Sequence, residues 1–439
     1  MARGDSAKGL AVRQAALEIL EGILVRKSLF EEGLAASKIA RTLEPRDRAF
    51  ASAIVLSVLR HKGEIDAVLV SFMPKPLPRK SGLTLLVFFI GIAQLLFLDV
   101  APHAAIDLCV SLARLDRGAA HFTGLVNAVL RRVAEKGRER LETLDGAVLN
   151  TPDWLWQRWV RSHGEEQARL IAASHLVEPQ LDVSVASLPL EWSVRLGGTL
   201  LPGGSIRLPL GAGPVDELPG YSGGGWWIQD AASALPVRLL GDVAGQKVID
   251  LCAAPGGKTM QLCAAGADVT AVDLSDERLD RLRENLERQK FKANVIAADA
   301  LALDMPGQFD GVVLDAPCSA TGTLRRHPEL PYIRDGLDIG PLVKLQTRML
   351  KAAARLVRPG GLLIYCTCSL EIEEGEKQIE GFLSAFGKDF ELTPVRPVED
   401  GFESNFVTVE GYLRTLPCMT IGTKSGLDGF FAARLKRKG

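Results

Sequence analysis

After Gly245, short apolar runs alternate regularly with amphipathic helical patterns, and this alternation permits few folds. The runs KVIDL, DVTAVD, NVIAAD, FDGVVLD and GGLLIYCTCS have the composition of buried strands, and helical patterns follow several of them. Strands that alternate with helices predict a parallel sheet with helices on both faces. We therefore expect a doubly wound α/β core, in which Ser275 caps the helix that starts at Asp276.

Glycine or acidic residues occupy the carboxyl ends of four of these predicted strands. The first strand leads into CAAPGGK, and later strands end at Asp273, Asp299 and Asp315. Ligands of doubly wound sheets bind at this edge, where glycines let the backbone approach them closely. We expect Asp273 to accept hydrogen bonds from ribose hydroxyls and Asp299 to lie beside an adenine ring. The predicted ligand-binding turn consists of Cys252, Ala253, Ala254, Pro255, Gly256, Gly257 and Lys258.

Two phosphate-binding interpretations of this turn fail on the residues themselves. A P-loop requires a glycine five residues before Gly257, and Cys252 stands there. The dinucleotide fingerprint GxGxxG is absent as well, because residues 253–255 are Ala-Ala-Pro. A nucleoside without a pyrophosphate fits better, and we expect S-adenosylmethionine as the cofactor.

Two of the seven cysteines directly follow predicted strands at this same edge. Cys318 lies in DAPCS and Cys368 lies in CTCS. The other interpretation of a cysteine is a small buried hydrophobic residue, and we apply it to Cys109 and Cys263. Two cysteines at adjacent strand ends beside a cofactor turn instead favour a catalytic role.

The chemistry that suits such a pair is methylation of cytosine. A thiolate that adds to carbon 6 turns the ring into an enamine, whose carbon 5 can attack a methyl sulfonium. Either Cys318 or Cys368 can supply that thiolate. Asp315 can hold the edge of the ring and Lys258 can supply positive charge, and both border the predicted cofactor site.

The amino-terminal half is helical in pattern and carries a positive balance of charge. Apolar residues recur at three- and four-residue spacing from Ala11 to about Arg140, with a break at PKPLPRKSG (residues 74–82). Residues 1–148 hold 21 Lys and Arg against 16 Asp and Glu, a net charge of +5. This predicts docking of a polyanion. The uncharged run Leu83–Leu98 is shorter than the roughly 20 residues of a membrane span, so we expect a buried helix.

A small module joins the two halves. Residues 181–198 alternate between apolar and polar side chains and predict short strands, and the Gly- and Pro-rich residues 201–225 predict loops. We expect a helical domain over residues 1–145, a linker with a small α/β module over 146–225, and a catalytic domain over 226–439.

Several motifs resemble a known family. DLCAAPGGKT, DAPCSATGTLRRHPEL, LVRPGGLLIYCTCSLEIEE and DGFFAARLKR closely resemble the RNA cytosine-carbon-5 methyltransferase family, in particular its bacterial ribosomal RNA small-subunit members. GIAQLLFLDVAPHAAIDL and GLVNAVLRRV resemble the NusB-type RNA-binding helical domain. The resemblance runs through the whole chain. It implies a Rossmann-like methyltransferase core that methylates carbon 5 of a cytosine in small-subunit (16S) ribosomal RNA through a covalent cysteine adduct.

The resemblance also implies roles that the residues alone left open. Cys368 is then the nucleophile, and Cys318 assists release of the methylated product. The glycine turn binds the methionine part of the cofactor, Asp273 its ribose and Asp299 its adenine. One position departs from the family pattern, because Cys366 stands two places before the nucleophile. Alternate residues of a strand face the same side, so we expect these two thiols to be open to mild oxidation.

The remaining expectations concern disulfides and metal sites, cellular location, oligomeric state and alternative functions. Seven cysteines without a CxxC pair predict neither a disulfide framework nor a metal site, and favour a reducing cytoplasm. The amino terminus lacks an apolar export signal. We expect a monomer that acts on RNA and not at a membrane. The alternatives are an RNA-binding ribosome-assembly factor with an inactive core, which would be expected to lose one cysteine, and the same chemistry on transfer RNA or DNA.

Overall fold

The computed structural model describes residues 2–73, 75–397 and 401–439. The helices are α1 (Ala2–Leu24), α2 (Phe30–Ala36), α3 (Lys38–Thr42), α4 (Pro45–Arg60), α5 (Lys62–Phe72), α6 (Thr84–Leu96), α7 (Pro102–Leu115), α8 (Thr123–Leu141), α9 (Gly146–Leu149), α10 (Asp153–His163), α11 (Glu165–His175), α12 (Pro189–Arg195), α13 (Ala231–Arg238), α14 (Gly257–Ala264), α15 (Asp276–Gln289), α16 (Leu330–Ile333), α17 (Ile339–Leu356) and α18 (Glu376–Phe386). The strands are β1 (Asp182–Val185), β2 (Thr199–Leu200), β3 (Ile206–Arg207), β4 (Trp226–Ile228), β5 (Lys247–Leu251), β6 (Asp268–Asp273), β7 (Asn294–Ala297), β8 (Phe309–Asp315), β9 (Val357–Thr367), β10 (Phe390–Leu392), β11 (Leu413–Thr415), β12 (Thr420–Ile421), β13 (Lys424–Ser425) and β14 (Phe430–Arg437).

The chain divides into two compact units. The first comprises Met1–Val177 together with His327–Gly336, and the second comprises Glu178–Arg326 together with Leu337–Gly439. The three-domain boundaries predicted from the sequence stay a prediction.

The first unit is a helical bundle built around α6. Nearly every side chain of α6 is buried, including the polar Gln94, which accepts a hydrogen bond from Arg13 Nε at 2.8 Å. A helix that is apolar on all sides is stable only inside a core, which confirms the buried helix predicted for Leu83–Leu98. No helix among the described residues is long and apolar enough to cross a membrane.

The break predicted inside the helical half is also confirmed. Helix α5 ends at Phe72 and α6 begins at Thr84, so the segment with Pro76 and Pro78 lies between two helices. Proline removes a backbone donor and clashes with the preceding turn, which explains why no helix continues there. Pro74 lies outside the described residues.

The second unit begins with a four-stranded sheet of order β2-β3-β1-β4. Here the prediction of strands throughout residues 181–198 is wrong in its second half, because Pro189–Arg195 forms helix α12. Pro189 stands at the first helical position, where its fixed φ suits a helix. The apparent alternation arises because Leu190 and Val194 are exposed, while Ser193 and Leu196 are buried at helical spacing.

An eight-stranded sheet forms the core of the second unit. Its order is β10-β14-β9-β8-β5-β6-β7, with β11 paired to β14. The strands β9, β8, β5, β6 and β7 run parallel, and β14 is antiparallel to β9. The chain proceeds from β5 outward to β7 and then returns to β8 on the other side of β5. Ligands bind beyond the carboxyl ends at such a reversal, which here is the edge after β5 and β8.

The sheet is buried on both faces, as a doubly wound sheet requires. On one face Ile249 and Val312 pack with Leu350 of α17 and Phe382 of α18. Neighbouring strand residues such as Val313 point the other way and pack with α13 in a second cluster. This structure confirms the predicted fold class, an all-helical bundle followed by a doubly wound α/β core.

Candidate active site

The predicted cofactor turn lies directly after β5. Cys252 has φ 61° and Gly256 has φ 107°, so the backbone reverses sharply before α14 begins at Gly257. A Cβ at position 256 would lie 3.1 Å from Leu282 of α15, which leaves little room for a larger residue. The first amide N–H groups of a helix have no partner within it, so the start of α14 offers donors for a carboxylate.

Asp273 ends β6, as predicted, and its carboxylate faces the turn. It accepts hydrogen bonds from the amide of Ala254 at 3.2 Å and from that of Ser275 at 3.1 Å. Arg278 also approaches it at 3.4 Å and donates to Ala254 O at 2.6 Å. A carboxylate has about four acceptor sites, so capacity remains for a hydroxyl donor.

Asp299 lies just beyond the third parallel strand rather than at its last residue. Strand β7 ends at Ala297, so Asp299 lies two residues beyond the strand and caps the short 3-10 turn Ala300–Ala302. Its side chain is exposed and accepts a hydrogen bond from Leu301 N at 2.9 Å. The link to the rest of the site runs through the backbone, where Ala298 N donates to Asp273 O at 3.0 Å.

Lys258 and Asp315 form a buried ion pair between the cofactor turn and the end of β8. Lys258 Nζ lies 2.8 Å from Asp315 Oδ2, and the Lys258 side chain is 8% exposed. Burial alone lowers the pKa of Lys258, but the adjacent Asp315 outweighs it, so the pKa lies above its usual value. Lys258 also lies 4.9 Å above the ring of Phe430.

Cys366 lies beside this ion pair. Its Sγ lies 3.8 Å from Asp315 Oδ1, and its side chain is fully buried. Burial and the nearby carboxylate of Asp315 raise the pKa of this thiol well above its usual value. Cys368 lies one residue beyond the end of β9, and the expectation that Cys366 and Cys368 are open to mild oxidation stays a prediction.

The two predicted catalytic cysteines are in contact. Cys318 Sγ and Cys368 Sγ lie 3.4 Å apart and both side chains are partly accessible. The hydrogen bond to Cys368, burial and the neighbouring Glu374 raise the pKa of Cys318 well above its usual value. Either sulfur can be the donor in this hydrogen bond.

The structural role of the other two cysteines agrees only in part with prediction. Cys109 is fully buried in the helical bundle, as expected of a small hydrophobic residue. Cys263 is only half-buried: it packs at the border of two hydrophobic clusters and donates its thiol to Lys292 O at 3.5 Å.

Sequence reasoning missed a second layer of charged residues around the thiols. Arg326 pairs with the fully buried Asp428, which Arg325 also approaches. Arg326 lies within electrostatic reach of Cys368, and its pKa is raised because burial is outweighed by Asp428 and other nearby acidic groups. Asp428 and Phe430 lie in the tail motif DGFF, which is the signal in the sequence that points to this layer. Among the described residues no group of three His, Cys, Asp or Glu side chains could hold a metal ion.

Comparison with known proteins agrees with this arrangement. The family model for the 16S rRNA methyltransferase RsmB/F matches residues 237–436, and that for the NusB family matches residues 10–135. A ribosomal RNA small subunit methyltransferase B of Cronobacter sakazakii is 33% identical to this chain, with 98% of this chain and 100% of the relative covered. The chain belongs to the RsmB/F methyltransferase family.

Further comparisons support the same family and fold. A ribosomal RNA small subunit methyltransferase B of Xylella fastidiosa is 34% identical, with 97% of this chain and 98% of the relative covered. The crystal structure of PH0851 has a TM-score of 0.73 and 24% identity, over 96% of this chain and 98% of its own. That structure is similar to this RsmB/F member in fold.

Proposed function

We propose that this protein transfers a methyl group from S-adenosylmethionine to carbon 5 of a cytosine in small-subunit (16S) ribosomal RNA. The observation that carries the proposal is the contact of Cys318 and Cys368 at 3.4 Å, at the carboxyl edge of the sheet. One thiol beside a cofactor turn suits many reactions. Two thiols suit a base that must be attacked and then released.

The reaction runs through a covalent adduct with the base. Cys368 Sγ, as the thiolate, bonds to carbon 6, and the electrons of the 5,6 double bond make carbon 5 nucleophilic. Carbon 5 would take the methyl group of S-adenosylmethionine, whose methyl–sulfur bond breaks so that S-adenosylhomocysteine leaves with the electron pair. The proton on carbon 5 then leaves to a base, the double bond re-forms, and the bond from Cys368 to carbon 6 breaks. Cys318 assists this last step, which releases the product.

The charged pair beside the thiols holds the base. Asp315 contacts the edge of the ring that carries nitrogen 3, and its side chain is fixed by Lys258 at 2.8 Å. Lys258 stays protonated because its pKa is raised, and its positive charge balances negative charge that develops on the ring. The ring of Phe430 lies 4.9 Å from the Lys258 ammonium, and this contact helps to hold the ammonium in place.

The residues present fit S-adenosylmethionine. The amides at the start of α14 can bind the methionine carboxylate, Asp273 can accept from the ribose hydroxyls, and Asp299 lies at the adenine end. The cofactor supplies an electrophilic methyl group. The exposed Leu274, 75% accessible after Asp273, offers an apolar surface for a ring.

The setting follows from the same proposal. The RNA docks on the helical residues 1–145, whose excess of Lys and Arg attracts phosphates. All seven cysteines are free thiols, as a cytoplasmic enzyme requires. The protein acts as a monomer, a state that light scattering of the purified chain would check.

The test is methyl transfer to purified RNA. Protein, tritium-labelled S-adenosylmethionine and 16S ribosomal RNA are expected to give label that bisulfite sequencing maps to a cytosine. Transfer RNA and the assembled small subunit serve as competing substrates. Label in transfer RNA alone would overturn the ribosomal substrate, and label outside cytosine would overturn the reaction.

A further inference from the structure

A buried acid, Glu374, joins the two cysteine loops. Ser319, the residue after Cys318, donates its amide to both carboxylate oxygens at 3.0 and 3.2 Å and its hydroxyl to Oε2 at 2.5 Å. Ser369, the residue after Cys368, donates its hydroxyl to Oε2 at 2.6 Å. A single carboxylate thus holds the residue that follows each thiol.

Glu374 is itself fixed from two further elements. Its backbone carbonyl accepts from Tyr365 Oη at 2.8 Å and from Thr367 Oγ1 at 3.4 Å, both on β9. Gln346 of α17 donates to Glu374 Oε1 at 2.9 Å and to Pro317 O at 2.8 Å. The acid is therefore anchored to the strand that ends at one cysteine and linked by Gln346 to the loop of the other.

The groups around the Glu374 side chain all donate hydrogen bonds to it, so the side chain at this position must be an acceptor with no donor of its own. The carboxylate receives an amide N–H, two hydroxyls and a side-chain amide, and its side chain is fully buried. An ionised carboxylate offers about four acceptor sites and satisfies all of these groups. A glutamine at this position would turn an N–H₂ group toward a donor and leave a buried bond unmade.

Other hydrogen bonds also join the two cysteine loops. Gly322 N donates to Cys368 O at 3.0 Å, Leu370 N donates to Thr321 Oγ1 at 3.0 Å, and the hydroxyl oxygens of Ser319 and Ser369 lie 3.1 Å apart. Glu374 is bonded to both of these serines, each of which is adjacent to a cysteine, so a change at Glu374 is expected to alter the distance between the thiols.

We propose that Glu374 is a positioning residue that sets the separation of Cys318 Sγ and Cys368 Sγ. This inference rests on the proposed function, in which one thiol attacks carbon 6 and the other acts at the release step. Both must act at the adjacent carbons 5 and 6 of one pyrimidine ring, and a small displacement of either thiol slows the reaction.

The first test replaces Glu374 with glutamine in the full-length protein. Single-turnover methyl transfer by Glu374→Gln is expected to fall on the order of 100-fold, the effect of a shift of roughly 1 Å in a reacting group. Affinity for S-adenosylmethionine is expected to remain that of the wild type, because Glu374 does not contact the cofactor turn. Glu373→Gln, which changes the neighbouring acid that borders the groove between α17 and α18, serves as the matched control and should retain transfer.

A second measurement reports the thiol separation without any reaction. Dibromobimane becomes fluorescent when it joins two neighbouring thiols, and the wild type should react through Cys318 and Cys368. The signal should be lost in Cys318→Ala and strongly reduced in Glu374→Gln at an unchanged melting temperature. Ser369→Ala, which removes one donor to the carboxylate, should reduce it less and provides the test if Glu374→Gln fails to fold.

The outcomes separate this inference from the proposed function. A wild-type signal from dibromobimane in both Glu374→Gln and Ser369→Ala would overturn the positioning role, whatever the enzyme methylates. A different outcome is that Glu374→Gln loses the dibromobimane signal while the wild type keeps the signal but transfers no methyl group to any RNA. This outcome would support the positioning role and overturn the proposed function. Equal transfer by Glu374→Gln and the wild type would also overturn the positioning role.

Discussion

At the scale of single residues, Asp250 shows how burial beneath the cofactor turn changes an acid. It is fully buried in β5, and its Oδ2 accepts a hydrogen bond from Thr259 at 2.6 Å. Burial raises the pKa of Asp250 to about 7. The folded chain therefore holds a proton that the unfolded chain releases. The resulting stability is present below the unfolded pKa and is lost as pH rises through about 7.

The variant Asp250→Asn tests this linkage. An amide has no charge to bury, so the variant should gain stability relative to the wild type as pH rises from about 5 to about 9. Melting temperatures of both proteins without cofactor measure the effect. Asp310→Asn is the control, because Arg358 lowers the pKa of Asp310 and this carboxyl is ionised in both the folded and the unfolded chain over this range, so its difference from the wild type should not change with pH. A difference between Asp250→Asn and the wild type that does not change with pH would contradict the shifted pKa.

Asp273 is the residue on which cofactor affinity should depend most. Asp273→Ala removes the acceptor proposed for the ribose and leaves the amides of Ala254 and Ser275 without this partner. Binding of S-adenosylmethionine should weaken by about 1–3 kcal/mol in calorimetry, while RNA affinity stays constant. Asp276→Ala, on the exposed start of α15, is the control. Equal cofactor affinity in all three proteins would remove Asp273 from the cofactor site.

Among the secondary-structure elements, α15 shows why some helices can be predicted from the sequence. Ser275 caps it by accepting from Arg278 N at 3.2 Å, and Leu279, Leu282 and Leu286 are buried at helical spacing. Both features are local, so the predicted helix and its cap are confirmed.

The cap gives a prediction about stability. Ser275→Ala should lower the free energy of unfolding by about 1 kcal/mol, because the amide near the helix start loses its acceptor. Chemical denaturation of the purified protein measures this. Ser275→Thr keeps a hydroxyl and should lose much less. Equal losses in both variants would mean that the serine acts through packing rather than as a cap.

Some elements could be predicted from the sequence, and others could not. The strands β5, β6, β8 and β9 and their order in the chain followed from apolar runs, because both faces of a parallel sheet are buried. Helix α12 was missed because its apolar residues Leu190 and Val194 are exposed, and together with the polar residues between them they give the alternating pattern of a strand. Glu374 was missed for a different reason. It lies in the acidic run LEIEEGE, which is typical of a solvated surface, and only the tertiary fold buries it.

At the level of the whole molecule, the chain leaves the second unit after Arg326 and re-enters the helical unit. Residues 327–336, which follow the loop of Cys318, belong to that unit. Tyr332 packs against its core, donates its hydroxyl to Leu59 O at 2.9 Å and accepts from Lys27 Nζ at 2.7 Å through its carbonyl. The boundary between the helical and catalytic regions is therefore not a single point in the sequence.

Tyr332 should consequently support the helical unit although it is remote in sequence. Tyr332→Ala is expected to reduce stability by roughly 1–3 kcal/mol, through lost ring burial and an unpaired carbonyl at Leu59. Tyr332→Phe keeps the ring and should cost about 1 kcal/mol. Denaturation followed by hydrogen exchange at α4 and α6 measures both. Unchanged protection of these helices in Tyr332→Ala would contradict the packing role.

The proposed reaction methylates cytosine through a covalent bond from Cys368, with Cys318 acting at release. The most direct measurement is denaturing gel electrophoresis of cysteine variants incubated with S-adenosylmethionine and 16S ribosomal RNA. Cys318→Ala should attack and transfer the methyl group but fail to release, so a protein–RNA complex should accumulate. Cys368→Ala should form no complex and transfer no methyl group. A trapped complex with Cys368→Ala and none with Cys318→Ala would contradict the account and move the nucleophile to Cys318.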